Sequence, residues 1–368
     1  MLSLPIPAPA EHRLRQIDAA RRAVLLDGAR ATDAFGDGRT WIERSWRRCL
    51  AAGRRPEQPV AFDLVPAQAA RRAEEAHHPL LQAARPVLHR LARAISHSGY
   101  FAILTDHRGV VIGADGPIDR QDRRAHLITR IGVDLSEQAV GTTAIGAALR
   151  ELQPVWLHRG EHFFRDTSVY SCAGAPVFGA DGRCAGMLDL TGIEAPERPE
   201  LKHLVAQSAR GIENALVLAQ RHALLLRLDW PGRGFADDED GLLCVDGDGL
   251  VAGANRTARD MLGPALLDGT HCADLFATAW QAFFDQARGG VAAEVPLWSG
   301  LVLQVLPQLP GQALTARPAA PDTRLPLRDL EVELIRKAVQ DARGNVMAAA
   351  KALGISRATV YRKLGRPR

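Results

Sequence analysis

The chain has 368 residues, 46% of them hydrophobic and only 5% aromatic, which allows about two to four domains with Ala- and Leu-rich cores. Its net charge is +4 and its pI near 9.0; arginine supplies 42 of the 46 basic side chains, a balance that permits nucleic-acid contact without requiring it. No apolar run approaches the length that spans a bilayer, and the start, MLSLPIPAPAEHRLR, lacks the basic-then-apolar order of a secretion signal, so the expectation is a cytosolic protein with no membrane partner.

Residues 1–95 read as a helical N-terminal segment. Its distinctive helix is Trp41–Leu50, with Trp41, Ile42, Ser45, Trp46 and Cys49 on one face and Arg44, Arg47 and Arg48 mostly opposite; Gly53 and Pro56 end it. An amphipathic helix docked on its own domain is the first reading, and an arginine face laid on DNA is the alternative.

Residues 96–228 read as an α+β sensor-like domain. Tyr100–Thr105 and Val110–Gly113 flank the turn Asp106-His107-Arg108-Gly109, and Ser171–Phe178 and Cys184–Leu190 flank Gly179-Ala180-Asp181-Gly182, giving two hairpins. Val155-Trp156-Leu157 is a short strand, and helix signals lie at Asp122–Arg130 and Thr143–Glu151. Trp156, His162, Phe163, Tyr170 and Cys172 are the candidate pocket residues. Aromatic rings with one imidazole and one thiol can hold a small organic effector, or can be plain core. His158, His162 and Cys172 are spaced irregularly and have no further ligand, so no metal site is expected. The five cysteines, Cys49, Cys172, Cys184, Cys244 and Cys272, form no CxxC pair and read as reduced thiols. Apolar residues at threes and fours make Leu201–Leu228 a long helix. It is either a dimer-forming or signalling helix or the domain's last helix lying on the sheet, and the two are compatible.

Pro231-Gly232-Arg233-Gly234 and the acidic run Asp237–Asp240 mark a boundary. Residues 236–310 then give a strand Gly241–Val245, a turn Asp246–Gly249, a strand Leu250–Ala254, an Asn255-capped helix Arg256–Leu262 and a late strand Gly300–Leu306. Pro310, Pro318, Pro321 and Pro326 punctuate a semi-flexible tether over 311–326.

Residues 327–368 read as an all-α helix-turn-helix. The periodicity predicts a helix over Asp329–Ala342, stopped by Gly344; Asn345 caps a second, Val346–Leu353. Gly354 turns, and Ser356 caps a third, Arg357–Leu364. A last helix of this kind lies in the major groove. That places Ser356, Arg357, Thr359, Tyr361, Arg362, Lys363 and Arg366 on double-stranded DNA, with Arg357 and Thr359 at base edges and Arg362, Lys363 and Arg366 on phosphates. From Gly344 to Arg368 there are six Lys or Arg and no Asp or Glu, which suits a phosphate backbone.

Several of these runs resemble known families. Gly344-Asn345-Val346, Ala349-Ala350-Lys351-Ala352-Leu353-Gly354-Ile355-Ser356-Arg357 and Thr359-Val360-Tyr361-Arg362-Lys363-Leu364 resemble the Fis-type DNA-binding domain that ends many bacterial enhancer-binding activators and dimerises through the preceding helices. Ser45-Trp46-Arg47-Arg48-Cys49 resembles the N-terminal motif of the sigma-54-dependent activators of acetoin and dihydroxyacetone catabolism. Gly141-Thr142-Thr143-Ala144-Ile145-Gly146, Glu161-His162-Phe163, Cys172–Pro176 and Gly186–Gly192 resemble their GAF domain, and Thr143, where the family usually has Asn, joins the candidate effector residues. The order of elements in 236–310 resembles a PAS domain. Those activators carry an ATPase domain with a GxxxxGK[ST] phosphate loop. Here none of the lysines, Lys202, Lys337, Lys351 and Lys363, follows a glycine.

The resemblance therefore implies an α+β multidomain, homodimeric, sequence-specific transcriptional regulator that senses a small-molecule effector; the missing phosphate loop removes the family's ATPase activity from that expectation, and no other catalytic motif and no cofactor is expected. RNA polymerase or a related activator is a further partner. The alternative is a modulator that dimerises or competes with a full-length ATPase-bearing activator.

Overall fold

Two five-stranded antiparallel sheets organise the unit that ends at Pro310, and alternation along their strands decides which helices cover which face. This computed structural model describes residues 9–28, 39–62, 65–235, 239–263, 266 and 269–311, and beyond these only 346, 347, 350 and 360.

The first sheet contains β1 (Tyr100–Asp106), β2 (Val111–Asp115), β3 (Val155–His158), β4 (Tyr170–Phe178) and β5 (Cys184–Ile193), in the order β2-β1-β5-β4-β3. Along β1, Phe101 and Ile103 point to one face and Tyr100, Ala102 and Leu104 to the other, so neither face is left for water. One face is covered by α1 (Pro9–Arg21), α2 (Thr40–Ala51), α5 (Arg123–Thr129), α6 (Glu137–Val140) and α7 (Ala144–Glu151); Trp41, Ile42 and Trp46 share its core with Ile128 and Ile145. The other face is covered by α4 (His78–Ala94), which follows α3 (Ala67–Ala76), and by α8 (Leu201–Leu218).

The expected hairpins and helices of this region are present. Two differences matter. The N-terminal helices share one core with the first sheet and do not stand apart from it. The expected helix Leu201–Leu228 stops at Leu218, and Leu224–Asp229 is a strand, β6, of the second sheet. Leu224, Leu226 and Leu228 face one core while Leu225 faces another, which is the two-residue period of a strand.

The second sheet runs β8-β7-β6-β10-β9, with β7 (Gly241–Val245), β8 (Val251–Ala254), β9 (Ala293–Pro296) and β10 (Val302–Gln308). Helices α9 (Arg256–Leu262), α10 (Cys272–Leu275) and α11 (Ala282–Gly289) cover one face through Met261, Leu275 and Phe283. Asn255 caps α9 as expected, its Oδ1 accepting from Ala258 N at 2.8 Å. The other face, Leu225, Leu242 and Cys244, meets Val217 of α8 and Ala180 of the β4–β5 turn. Helix α8 thus lies between the sheets.

Residues 311–368 form a separate unit. Val346, Met347, Ala350 and Val360 are helical, and Ala350 and Val360 are buried. The expected DNA-facing residues Ser356, Arg357, Thr359, Tyr361, Arg362, Lys363 and Arg366 lie outside the described residues.

Candidate effector-binding site

The site forms where α7, β4, β5 and the loop after β3 converge on the face that α2 covers. Gly141, at φ +69°, must be glycine twice over: a Cβ there would meet the Phe164 ring at 2.8 Å. A Cβ on Gly146 would meet the Glu137 backbone nitrogen at 2.8 Å, so α7 packs directly on α6. Between them Thr143 caps α7, its hydroxyl accepting from Gly146 N at 3.1 Å. Threonine and asparagine are both good caps.

These elements enclose a cavity of about 30 Å³ whose polar lining is Thr143, His162, Thr167, Tyr170, Cys172, Asp189 and Thr191; the rest is apolar wall from β1, α5, α6 and α7 with the loop residues Phe62 and Leu135. That is close to the space one water molecule occupies. Four expected residues, Thr143, His162, Tyr170 and Cys172, meet here. Trp156 points to the opposite face of the sheet, towards α4 and α8, 6.4 Å from the Tyr100 ring. Phe163 is fully buried edge-on against Phe164, outside the cavity.

Sequence reasoning quoted Asp189 and Thr191 within a motif but did not single them out. The available signal was an acid inside an apolar strand, between Leu188 and Leu190. Thr191 donates to Asp189 Oδ2, and Cys172 Sγ lies 3.4 Å from the Thr191 hydroxyl. Asp189 Oδ1 is buried without a partner, and burial pushes this carboxyl up to about 7. His162 Nδ1 donates to the Arg159 carbonyl at 2.9 Å, since a carbonyl only accepts. Its Nε2 is then a lone-pair acceptor, also buried without a partner, and burial holds the ring down to about 4 and so neutral. The Tyr170 hydroxyl donates outward to Arg124 O at 3.3 Å.

The loop carrying His162 is held from the N-terminal side. Trp46 Nε1 donates to Glu161 O at 2.9 Å, and Arg21 reaches Gly160 O at 2.7 Å and Phe163 O at 2.9 Å. The fully buried Glu161 carboxylate accepts from Arg13, from Arg39 and from His158 N at 2.7 Å; burial raises its carboxyl against the pull of both guanidiniums. Ser45 donates to Glu137 at 2.6 Å and lies 2.7 Å from the Thr142 hydroxyl, while Arg48 grips Glu137 through two bonds of 2.7 Å. The Ser45–Cys49 run therefore clamps the turn that starts α7. Arg44 pairs with Glu151 and Arg47 with Glu43, so the arginine face of α2 is engaged within its own domain.

His158 Nδ1 meets Ser171 Oγ at 2.8 Å, and His158 is not among the residues that line the cavity with His162 and Cys172. Among the described residues no group of three or more His, Cys, Asp or Glu is placed to hold a metal ion, and no helix is long and apolar enough to cross a membrane. All five cysteines are free, and burial pushes Cys49 up to about 11 and Cys244 and Cys272 up to about 12, which leaves them as inert thiols.

Two parts of the chain match known protein families. Residues 326–366 match the bacterial regulatory protein, Fis family, and residues 16–214 match the MimR N-terminal domain. The acetoin catabolism regulatory protein of Cupriavidus necator is 29% identical over 250 residues, 66% of this chain and 37% of that protein. The propane 2-monooxygenase operon transcriptional activator MimR of Mycolicibacterium goodii is 30% identical over 264 residues, 70% of this chain and 42% of that protein. The chain thus spans about two-fifths of the length of these relatives. A solved structure of the E. coli DhaR(N)–DhaL complex superposes with a TM-score of 0.45 at 15% identity, covering 73% of this chain and 99% of that one. The match over 16–214 takes in the N-terminal helices and the first sheet together, as one core does, and since it covers more than half of the sequence, the chain belongs to the family of the MimR N-terminal domain.

Proposed function

We propose that the protein is a DNA-binding transcriptional regulator whose first-sheet domain, of GAF type, senses a small-molecule effector in the cavity between α7 and β5. The observation that carries this reading is the pairing, in one chain, of a match to an activator's N-terminal domain with a Fis-family match over 326–366. The second sheet, a PAS-like domain, ends at Gln308, so little chain lies between it and the Fis-family match. Together with the missing phosphate loop, this supports a regulator that does not itself drive polymerase with ATP. The cavity holds about one water, so effector binding has to move side chains on this face, and binding to the opened form shifts the population. Two copies of the chain present paired recognition helices to half-sites about 34 Å apart, as helix-turn-helix dimers do.

The test is recovery of genomic fragments by the intact protein beside Arg357→Ala. A sharp set of sites held by the wild type is expected, with affinity falling by roughly 1–3 kcal/mol and specificity relaxing at one position in the variant. Weak binding that only follows salt overturns sequence-specific regulation. Because the chain spans about two-fifths of its relatives, that outcome would put first the modulator reading, in which it acts on a full-length activator.

A further inference from the structure

Two buried polar atoms without partners, Asp189 Oδ1 and His162 Nε2, belong to residues that line the same small cavity. A buried polar atom left unmade costs about 1–3 kcal/mol, and one such atom in a core is tolerable where two around one cavity call for a shared partner. Most bonds of the neighbouring polar groups are already committed. Thr191 gives its proton to Asp189 Oδ2, Thr143 caps α7, and the Tyr170 hydroxyl turns away to Arg124 O. What remains for a ligand is the acceptor capacity of Asp189 Oδ1 and His162 Nε2, with the Thr143 hydroxyl proton as a donor beside it, in an otherwise apolar wall.

We infer that the cavity takes a small uncharged ligand with at least two hydrogen-bond donors, a short polyol being the simplest, with one hydroxyl donating to Asp189 Oδ1 and another to His162 Nε2. The inference rests on the sensing role proposed above and adds what is sensed. The acceptors reject an anion, whose charge would face the Asp189 carboxylate in a site with no cation among the residues that line it. A carbonyl compound lacking the second donor leaves one acceptor unmade, which is the kind of loss that discriminates strongly. The tautomer of His162 is fixed by the Arg159 carbonyl, so the ring cannot supply a donor instead while it stays neutral.

Three probes on one three-carbon skeleton separate the possibilities: propylene glycol with two donors, hydroxyacetone with one, and lactate as an anion. Each is titrated into the full chain at about pH 8, above the value to which burial raises Asp189, following thermal stability and ligand NMR. Saturable glycol binding, at least tenfold weaker binding of hydroxyacetone and none of lactate are expected. Asp189→Val, which removes the acceptor at similar volume, is expected to lose glycol binding. The wild-type series decides the matter even if that variant does not fold. Hydroxyacetone or lactate binding as tightly as the glycol overturns the inference while leaving sensing intact. Binding of none of the three also overturns it, leaving a cavity that holds water only. Sensing itself is decided separately, by whether a cell metabolite extract changes retention of the recovered DNA fragments.

Discussion

Four buried titratable side chains pull stability in opposite directions. Burial holds Asp189 and Glu213 up to about 7 and holds His158 and His162 down to about 4. For the carboxyls the folded chain binds more protons than the unfolded chain between about pH 4 and 7, so their contribution falls as pH rises through that window. For the imidazoles the folded chain binds fewer protons between about pH 4 and 6.5, so theirs rises. The two trends oppose each other below about pH 6.5, and these four groups together are expected to leave stability only weakly pH-dependent there. Asp189→Asn removes one falling contribution and keeps an acceptor for Thr191. The variant is expected to gain on the order of 2–4 kcal/mol over wild type at about pH 8 and nothing near pH 4. Urea melts at both pH values read this directly, and an equal difference at both would mean that the carboxyl carries no uncompensated charge in the folded chain.

At the scale of elements, α2 shows what tertiary contact adds to a readable pattern. Its buried face, Trp41, Ile42, Ser45, Trp46 and Cys49, was legible because helical spacing groups those residues. Its purpose was not, because Glu137, Thr142 and Glu161 lie about a hundred residues away in the chain and no periodicity links them to Trp46. Hairpins and caps were legible for a local reason: Asp and Gly mark the turns at 106–109, 179–182 and 246–249, and Asn255 caps α9. The end of α8 was not legible. Residues 219–223, AQRHA, contain neither Gly nor Pro, and the run Leu224-Leu225-Leu226 fits a helix and a buried strand equally well. Likewise the cavity could be placed near Tyr170 and Cys172, but which side of β3 Trp156 faces depends on strand register. Trp46→Ala, removing a fully buried indole with its bond to Glu161, is expected to destabilise the first-sheet domain by roughly 3–5 kcal/mol in thermal or urea unfolding. A fragment of residues 96–218 is expected to show no cooperative transition, since it lacks α1 and α2 from one face of the first sheet and α4 from the other. A sharp melt from that fragment would make the N-terminal helices an accessory.

On the scale of the whole unit, β5 and α8 join the cavity to the second sheet. Asp189 faces the cavity, while Leu188 and Leu190, its neighbours on the strand, pack on the face that α8 covers. The far side of α8 carries Asn214, whose Oδ1 accepts from Asn255 Nδ2 at 2.8 Å, and Asn255 in turn holds Leu242 N of β7 at 2.9 Å. A second tie runs through the β4–β5 turn, where the Ala180 carbonyl accepts from Ala254 N at 2.9 Å and from Arg259 at 2.8 Å. Both ties end at the start of α9. Repacking around the cavity therefore has a short path of bonded and packed groups to the second sheet. Asn255→Ser keeps an oxygen to cap α9 but is too short to reach Asn214. In this variant ligand-induced protection from hydrogen exchange is expected to persist along β5 and to fall along β7. A double-mutant cycle with Asn214→Ala is expected to give a coupling of about 0.5–3 kcal/mol. If β7 keeps its ligand-induced protection in Asn255→Ser, the signal passes through the Ala180 carbonyl, and Arg259→Ala is then the change that should interrupt it.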